Sequence, residues 1–71
     1  MTIKDQIGRS IRAALKTKDR SQKWLSLTIE SPANVVSKWS IHGTTNLDTI
    51  FRIAAAFDMK VSDFIALGEQ E

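Results

Sequence analysis

Ser21-Gln22-Lys23-Trp24-Leu25-Ser26-Leu27-Thr28-Ile29-Glu30-Ser31-Pro32-Ala33-Asn34-Val35-Val36-Ser37-Lys38-Trp39-Ser40 contains two helix starts and one break. Ser21 is an N-cap residue type, and Leu25 and Ile29 follow at helical spacing, so a short helix is predicted over 21–29. Glu30-Ser31-Pro32 interrupts it. Proline is tolerated in the first helical turn, where its missing N–H is not needed. Ser31 therefore reads as the cap and Pro32 as the first residue of a second short helix over 32–40, with Val36 and Trp39 turned inward. Ala33, Asn34, Ser37 and Lys38 are left facing out.

The flanks are helical too. Ile3, Ile7, Ile11, Ala14 and Leu15 recur at three- and four-residue spacing behind a Thr2 cap, with Asp5 three residues on. Gly8 inside this run costs about 1 kcal/mol against alanine, which close packing would explain. His42-Gly43-Thr44-Thr45-Asn46 reads as a loop, with Asn46 capping a fourth helix patterned by Leu47, Ile50, Phe51, Ile53, Ala54 and Phe57. Lys60-Val61-Ser62-Asp63 opens a fifth, carrying Phe64, Ile65 and Leu67, and Gly68 ends it. The expectation is one all-α domain over 1–71, a compact bundle of four to five short helices with a frayed Glu69-Gln70-Glu71 tail.

Composition narrows the function classes. The 71 residues are 42% hydrophobic and 25% charged, the balance of a globular domain and not of a disordered chain. Without cysteine there is no disulfide framework, cysteine-ligated zinc or thiol chemistry. His42 is the lone histidine, and the aspartates Asp48, Asp58 and Asp63 fall at helix ends, so no nucleophile–base pair or carboxylate dyad is apparent. No metal-ligand spacing, phosphate loop or dinucleotide fingerprint occurs. The chain is expected to be no enzyme and to carry no cofactor. No apolar run approaches the ~20 residues needed to cross a bilayer, and the N-terminus lacks a signal-peptide pattern.

Net charge is only +2, but it is unevenly spread. Residues 1–38 carry eight basic against three acidic side chains, a net +5, and residues 39–71 carry two against five, a net −3. One basic half suits a polyanion. Two short helices joined by a tight turn, behind a basic helix, form the outline of a helix-turn-helix, whose second helix enters the major groove of DNA. Asparagine pairs with adenine there, lysine reaches guanine acceptors, and alanine meets a thymine methyl.

Three stretches carry a family resemblance. Ser21-Gln22-Lys23-Trp24-Leu25-Ser26 resembles a Thr-Gln-x-x-Leu-Ala helix opening, and Val36-Ser37-Lys38-Trp39 resembles an Ile-Ser-x-Trp helix close. Residues 47–57 resemble Leu-x-x-Leu-x-x-Ile-Ala-x-Ala-Leu, and residues 58–65 continue like Gly-Val-Ser-x-x-x-Leu-Leu. In this order they resemble the Cro/CI-type (Xre-like) helix-turn-helix domain of phage repressors and bacterial regulators, with a lambda-repressor-like fold, over roughly residues 7–67. Four departures stand out. Glu30 and Ser31 occupy the turn positions that are usually glycine and an apolar residue. Ser31 to Trp39 is one residue longer than the usual cap-to-tryptophan spacing, so either Pro32 takes the cap or the turn is longer. The loop before the fourth helix is about one residue short, and Ser40 replaces the usual glutamate.

The resemblance implies a bacterial, cytoplasmic, phage- or mobile-element-type regulator that binds a palindromic double-stranded operator as a homodimer. It implies that Gln22 holds a backbone phosphate, that Ala33, Asn34 and Lys38 read base edges, and that Ser37 contacts either. Ser31, at the start of that helix, is counted with them. His42, Thr44 and Thr45 match the loop that meets the backbone. Lys18, Arg20, Ser21 and Lys23 lie close enough in sequence to add phosphate contacts. The fifth helix often supplies the dimer contact, here Phe64, Ile65 and Leu67. Trp24 and Leu27 are apolar where the family pattern faces solvent. They are either core, with the register shifted by one, or a patch that meets another protein or another subunit. The alternative function is accordingly a helix-turn-helix chain whose main target is a protein, such as an antitoxin or a modulator of a phage repressor.

Overall fold

Three of the helices begin in the same way: a short polar side chain accepts a hydrogen bond from a backbone N–H of the first turn. Thr2 Oγ1 accepts from Asp5 N at 3.2 Å, Ser21 Oγ from Trp24 N at 3.1 Å and Asn46 Oδ1 from Thr49 N at 3.2 Å. A computed structural model describes residues 2–70. Within them lie five α-helices: α1 (Ile3–Thr17), α2 (Gln22–Thr28), α3 (Ala33–His42), α4 (Leu47–Ala56) and α5 (Val61–Gln70). The expected all-α bundle is found, with five helices and no strand among the described residues.

The helices end less conventionally. α1, α2 and α4 each close with a Schellman turn, in which the second residue past the cap donates its N–H back to the last turn. These bonds run from Arg20 N to Leu15 O at 2.8 Å, from Ser31 N to Ser26 O at 3.0 Å and from Met59 N to Ala54 O at 3.0 Å. The turn needs one residue in the left-handed region, normally glycine. Here those residues are Asp19, Glu30 and Asp58, with φ of 54°, 55° and 57°. Ser31 belongs to the turn that closes α2, and Pro32, whose carbonyl accepts from Val35 N and Val36 N, is the cap of α3. The expectation that Ser31 caps α3 is corrected on this point: a residue whose N–H is committed backwards to Ser26 still belongs to the preceding turn.

The core is built from Ile7, Ile11, Ala14 and Leu15 of α1, Leu25 and Ile29 at α2, Val36 of α3, Ile50, Ile53, Ala54 and Phe57 at α4, and Phe64 of α5. α1 packs on both α5 and α3, α2 on α3, and α4 on α5. Two glycine contacts make the α1 packing possible. Gly8 meets Gly43 and the Ser40 carbonyl across α1 and α3, which is the close packing its position suggested. Gly68 does not end α5. It lies inside that helix, against the Gln6 backbone and the Ser10 side chain. Beside it, the Gln6 amide and the Ser10 hydroxyl both donate to the Ile65 carbonyl, at 3.0 and 3.2 Å.

Three apolar residues expected to face inward are exposed instead: Ile3, Leu47 and Phe51. Ile3 is the first residue of α1. Leu47 and Phe51 belong to an apolar arc of α4 wider than the strip that α2 and α5 cover.

Candidate nucleic-acid interface

α3 is held from behind by Val36, fully buried, and by half-buried Trp39. Ser40 sits one turn beyond Val36 on the same inner face, its hydroxyl donating to the Val36 carbonyl at 3.0 Å. The outer face follows from helical geometry, at about 100° per residue. Asn34 and Lys38 lie opposite the Val36–Ser40 line and are exposed. Ser37 lies at their flank and is half-buried, whereas Ala33 falls close to the Val36–Ser40 line and is exposed at the first position of the helix. Of the four side chains that the sequence places outward, Asn34 and Lys38 share the outer face of α3.

Pro32 in the cap position restores the seven-residue step to Trp39, so Asn34 is the second helical residue and Lys38 the sixth. α3 also begins differently from α1, α2 and α4. Pro32 supplies no side-chain cap, so the first N–H groups of α3 remain open toward solvent. Those groups and the helix dipole favour an anion.

α2 lies across α3, and Ser21, Gln22 and Lys23 at its start are all exposed. Lys18 is exposed, and Arg20 lies over the ring of Trp24, 5.1 Å from its centroid. This cation–π contact leaves the guanidinium beside the start of α2 and gives Trp24 a definite role. The Trp24 ring also meets Phe57, at 5.5 Å between centroids. Trp24 is thus half-buried at the core's edge, whereas Leu27, three residues on, is 70% exposed. The two do not form one solvent-facing apolar patch.

His42 is exposed, but it closes the last turn of α3 and is not in the loop. The helix continues because Gly43, with φ 77°, can leave it where it crosses Lys4 and Gly8 of α1. Thr44 accepts a hydrogen bond from Asn46 N at 3.2 Å, and Thr45 is exposed beside it. The added turn also brings Ile41 into line with Asn34 and Lys38, a residue that a helix ending at Ser40 leaves out. Ile41 shares an open cleft with Asp5, Arg9 and Arg12, and Arg12 donates a hydrogen bond to the Ser40 carbonyl. Arg9 and Arg12 therefore put positive charge beside the C-terminal half of α3. In the sequence they counted only toward the net charge.

Of the expected dimer residues, Phe64 is corrected. It is fully buried, stacked on Phe57 with ring centroids 6.5 Å apart, and cannot touch a second chain without unfolding the core. Ile65 and Leu67 are half-buried against that core. No group of three or more histidine, cysteine, aspartate or glutamate side chains placed to hold a metal occurs among the described residues. None of the described helices is long and apolar enough to cross a membrane. The chain matches no family model, no curated protein and no solved structure.

Proposed function

We propose that this chain is a sequence-reading DNA-binding regulator of the Cro/repressor kind, which sets the outer face of α3 in the major groove of a palindromic operator. The observation that carries the reading is the alignment of exposed Asn34 and Lys38 on α3, opposite a fully buried Val36, at a helix start left without a side-chain cap. A groove about 12 Å wide takes one helix, and the helix must be short, polar outside and backed by a core. α3 is short and backed by the core, and its outer face is polar at Asn34 and Lys38, with exposed Ile41 in line with them toward its end.

The roles divide by chemistry. Asn34 pairs with an adenine edge, Lys38 with guanine acceptors, and Ala33 with a thymine methyl. Gln22, Ser21 and the start of α2 hold a phosphate, with Lys18, Arg20 and Lys23 adding sequence-independent affinity through counterion release. One such helix reads too few base pairs for selectivity, so two copies act on paired half-sites. Selection of bound duplexes from a randomised pool, followed by sequencing, tests this. An inverted repeat is expected; a bound fraction no different from the input pool would overturn the reading.

A second reading has its own observation. Leu27 projects from α2 without cover, which favours a chain whose main target is another protein, such as a repressor modulator or an antitoxin.

A further inference from the structure

α4 carries an apolar stripe that the bundle leaves uncovered. Leu47 and Phe51 are 76% and 65% exposed, and Ala55 continues the line at the same four-residue spacing, over about 12 Å of helix. Beside the stripe runs an open groove lined by Thr28, Glu30, Phe51, Arg52, Ala55 and Ala56. Its two charges have opposite sign. Arg52 is fixed there by donating from Nη2 to the Ile29 carbonyl at 2.6 Å, and Glu30 is exposed at the turn that closes α2.

A groove with one acid, one base and an apolar side chain that both lines it and projects from it is complementary to itself. We propose that the groove between the end of α2 and α4 is the self-association surface of this chain, and that its occupant is the same groove of a second copy. About the two-fold axis, Phe51 of each copy enters the groove of the other, and each Glu30 faces the other copy's Arg52. An isologous interface needs this reciprocity. The surface is distinct from the one expected on α5, of which Phe64 is buried and Ile65 and Leu67 are half-buried.

Area sets the strength. A stable interface buries about 800 Å² on each partner, roughly a sixth of this chain's 4519 Å². A stripe with two large apolar side chains supplies less than that, on the order of 400 Å². Free chains should therefore pair weakly, in about the 10⁻⁵–10⁻³ M range, and tightly only where something else brings two copies together. The proposal deepens the paired half-site reading above, and its test contains no DNA, so the two fail separately.

The test is sedimentation equilibrium of the full chain from about 10 µM to about 1 mM, at low and at high salt. The wild type is expected to shift from monomer to dimer across this range. Phe51→Asp should weaken association at least about tenfold while leaving the helical circular dichroism and the thermal midpoint intact, because Phe51 is mostly exposed. Glu30→Lys should weaken it about threefold or more, chiefly at low salt. A chain that stays monomeric throughout, a dimer that Phe51→Asp leaves intact, or a Glu30→Lys variant that pairs as well as the wild type overturns the proposal.

Discussion

Gly68 of α5 sits against the backbone carbonyl oxygen of Gln6 in α1, so that a Cβ at Gly68 would overlap that oxygen and lie 2.6 Å from Ser10 Oγ. Two effects then oppose each other in Gly68→Ala. Alanine is favoured over glycine inside a helix by about 1 kcal/mol. Forcing a methyl group into a closed backbone contact costs about 1–3 kcal/mol. The obstacle is backbone, which yields less than a flexible side chain, so the second effect should win. Urea unfolding of Gly68→Ala is expected to show a net loss of about 1–2 kcal/mol. A more stable variant would mean that α5 does not dock on α1 as described.

The left-handed residues Asp19, Glu30 and Asp58 are a reserve of stability. A non-glycine residue in this region costs about 1–2 kcal/mol, and each of these also sets a negative charge at a helix C-terminus, where the dipole disfavours it. Glycine removes both costs but loses some of the gain through its freer unfolded chain. Asp19→Gly, Glu30→Gly and Asp58→Gly should each gain about 0.5–1 kcal/mol. Lying in three separate turns, they should add. Thermal unfolding of the triple variant is expected at a midpoint higher by about 6–24 °C; a lower midpoint would contradict the left-handed assignment.

These turns also explain what was readable beforehand and what was not. Helix starts were legible at Thr2, Ser21 and Asn46 because a cap uses a particular side chain. The stop of α2 was legible at Glu30-Ser31-Pro32, but the kind of turn that closes α1, α2 and α4 was not, because Asp19, Glu30 and Asp58 take the conformation that glycine usually signals, while Gly68 signals a stop and lies inside a helix. Buried Ile7, Ile11 and Ala14 followed from their period. Exposed Leu47 and Phe51 share the period of Ile50 and Ile53, and only the width covered by neighbouring helices separates the two pairs. At the candidate site the outward face of α3 was legible from Val36 and Trp39. Its length was not, because the Gly43 exit that carries the helix to His42 depends on contact with α1.

Asn34 and Gln22 should separate under mutation. A base-edge contact carries selectivity, and a phosphate contact carries affinity common to all sequences. Asn34→Ala is expected to cost about 1–3 kcal/mol on the preferred duplex and little on random DNA, whereas Gln22→Ala should weaken both alike. Fluorescence anisotropy on the two duplexes measures this. Equal losses on both from Asn34→Ala would remove α3 from base reading.

Pro32 offers a test in which stability and binding move apart. The N–H groups at the start of α3 have no side-chain cap, and a serine or aspartate there would supply one worth about 0.5–2 kcal/mol. Part of that gain is offset by about 0.4–1 kcal/mol, because proline restricts the unfolded chain. Pro32→Ser and Pro32→Asp should therefore fold at least about as stably as the wild type. If the open helix start faces DNA, the aspartate fills it with a negative charge and repels the phosphates, and affinity should fall about tenfold or more. The serine adds a cap without charge and should bind within a few-fold of the wild type. Measuring both variants separates capping from charge: wild-type affinity in a folded Pro32→Asp variant would place the start of α3 away from the nucleic acid.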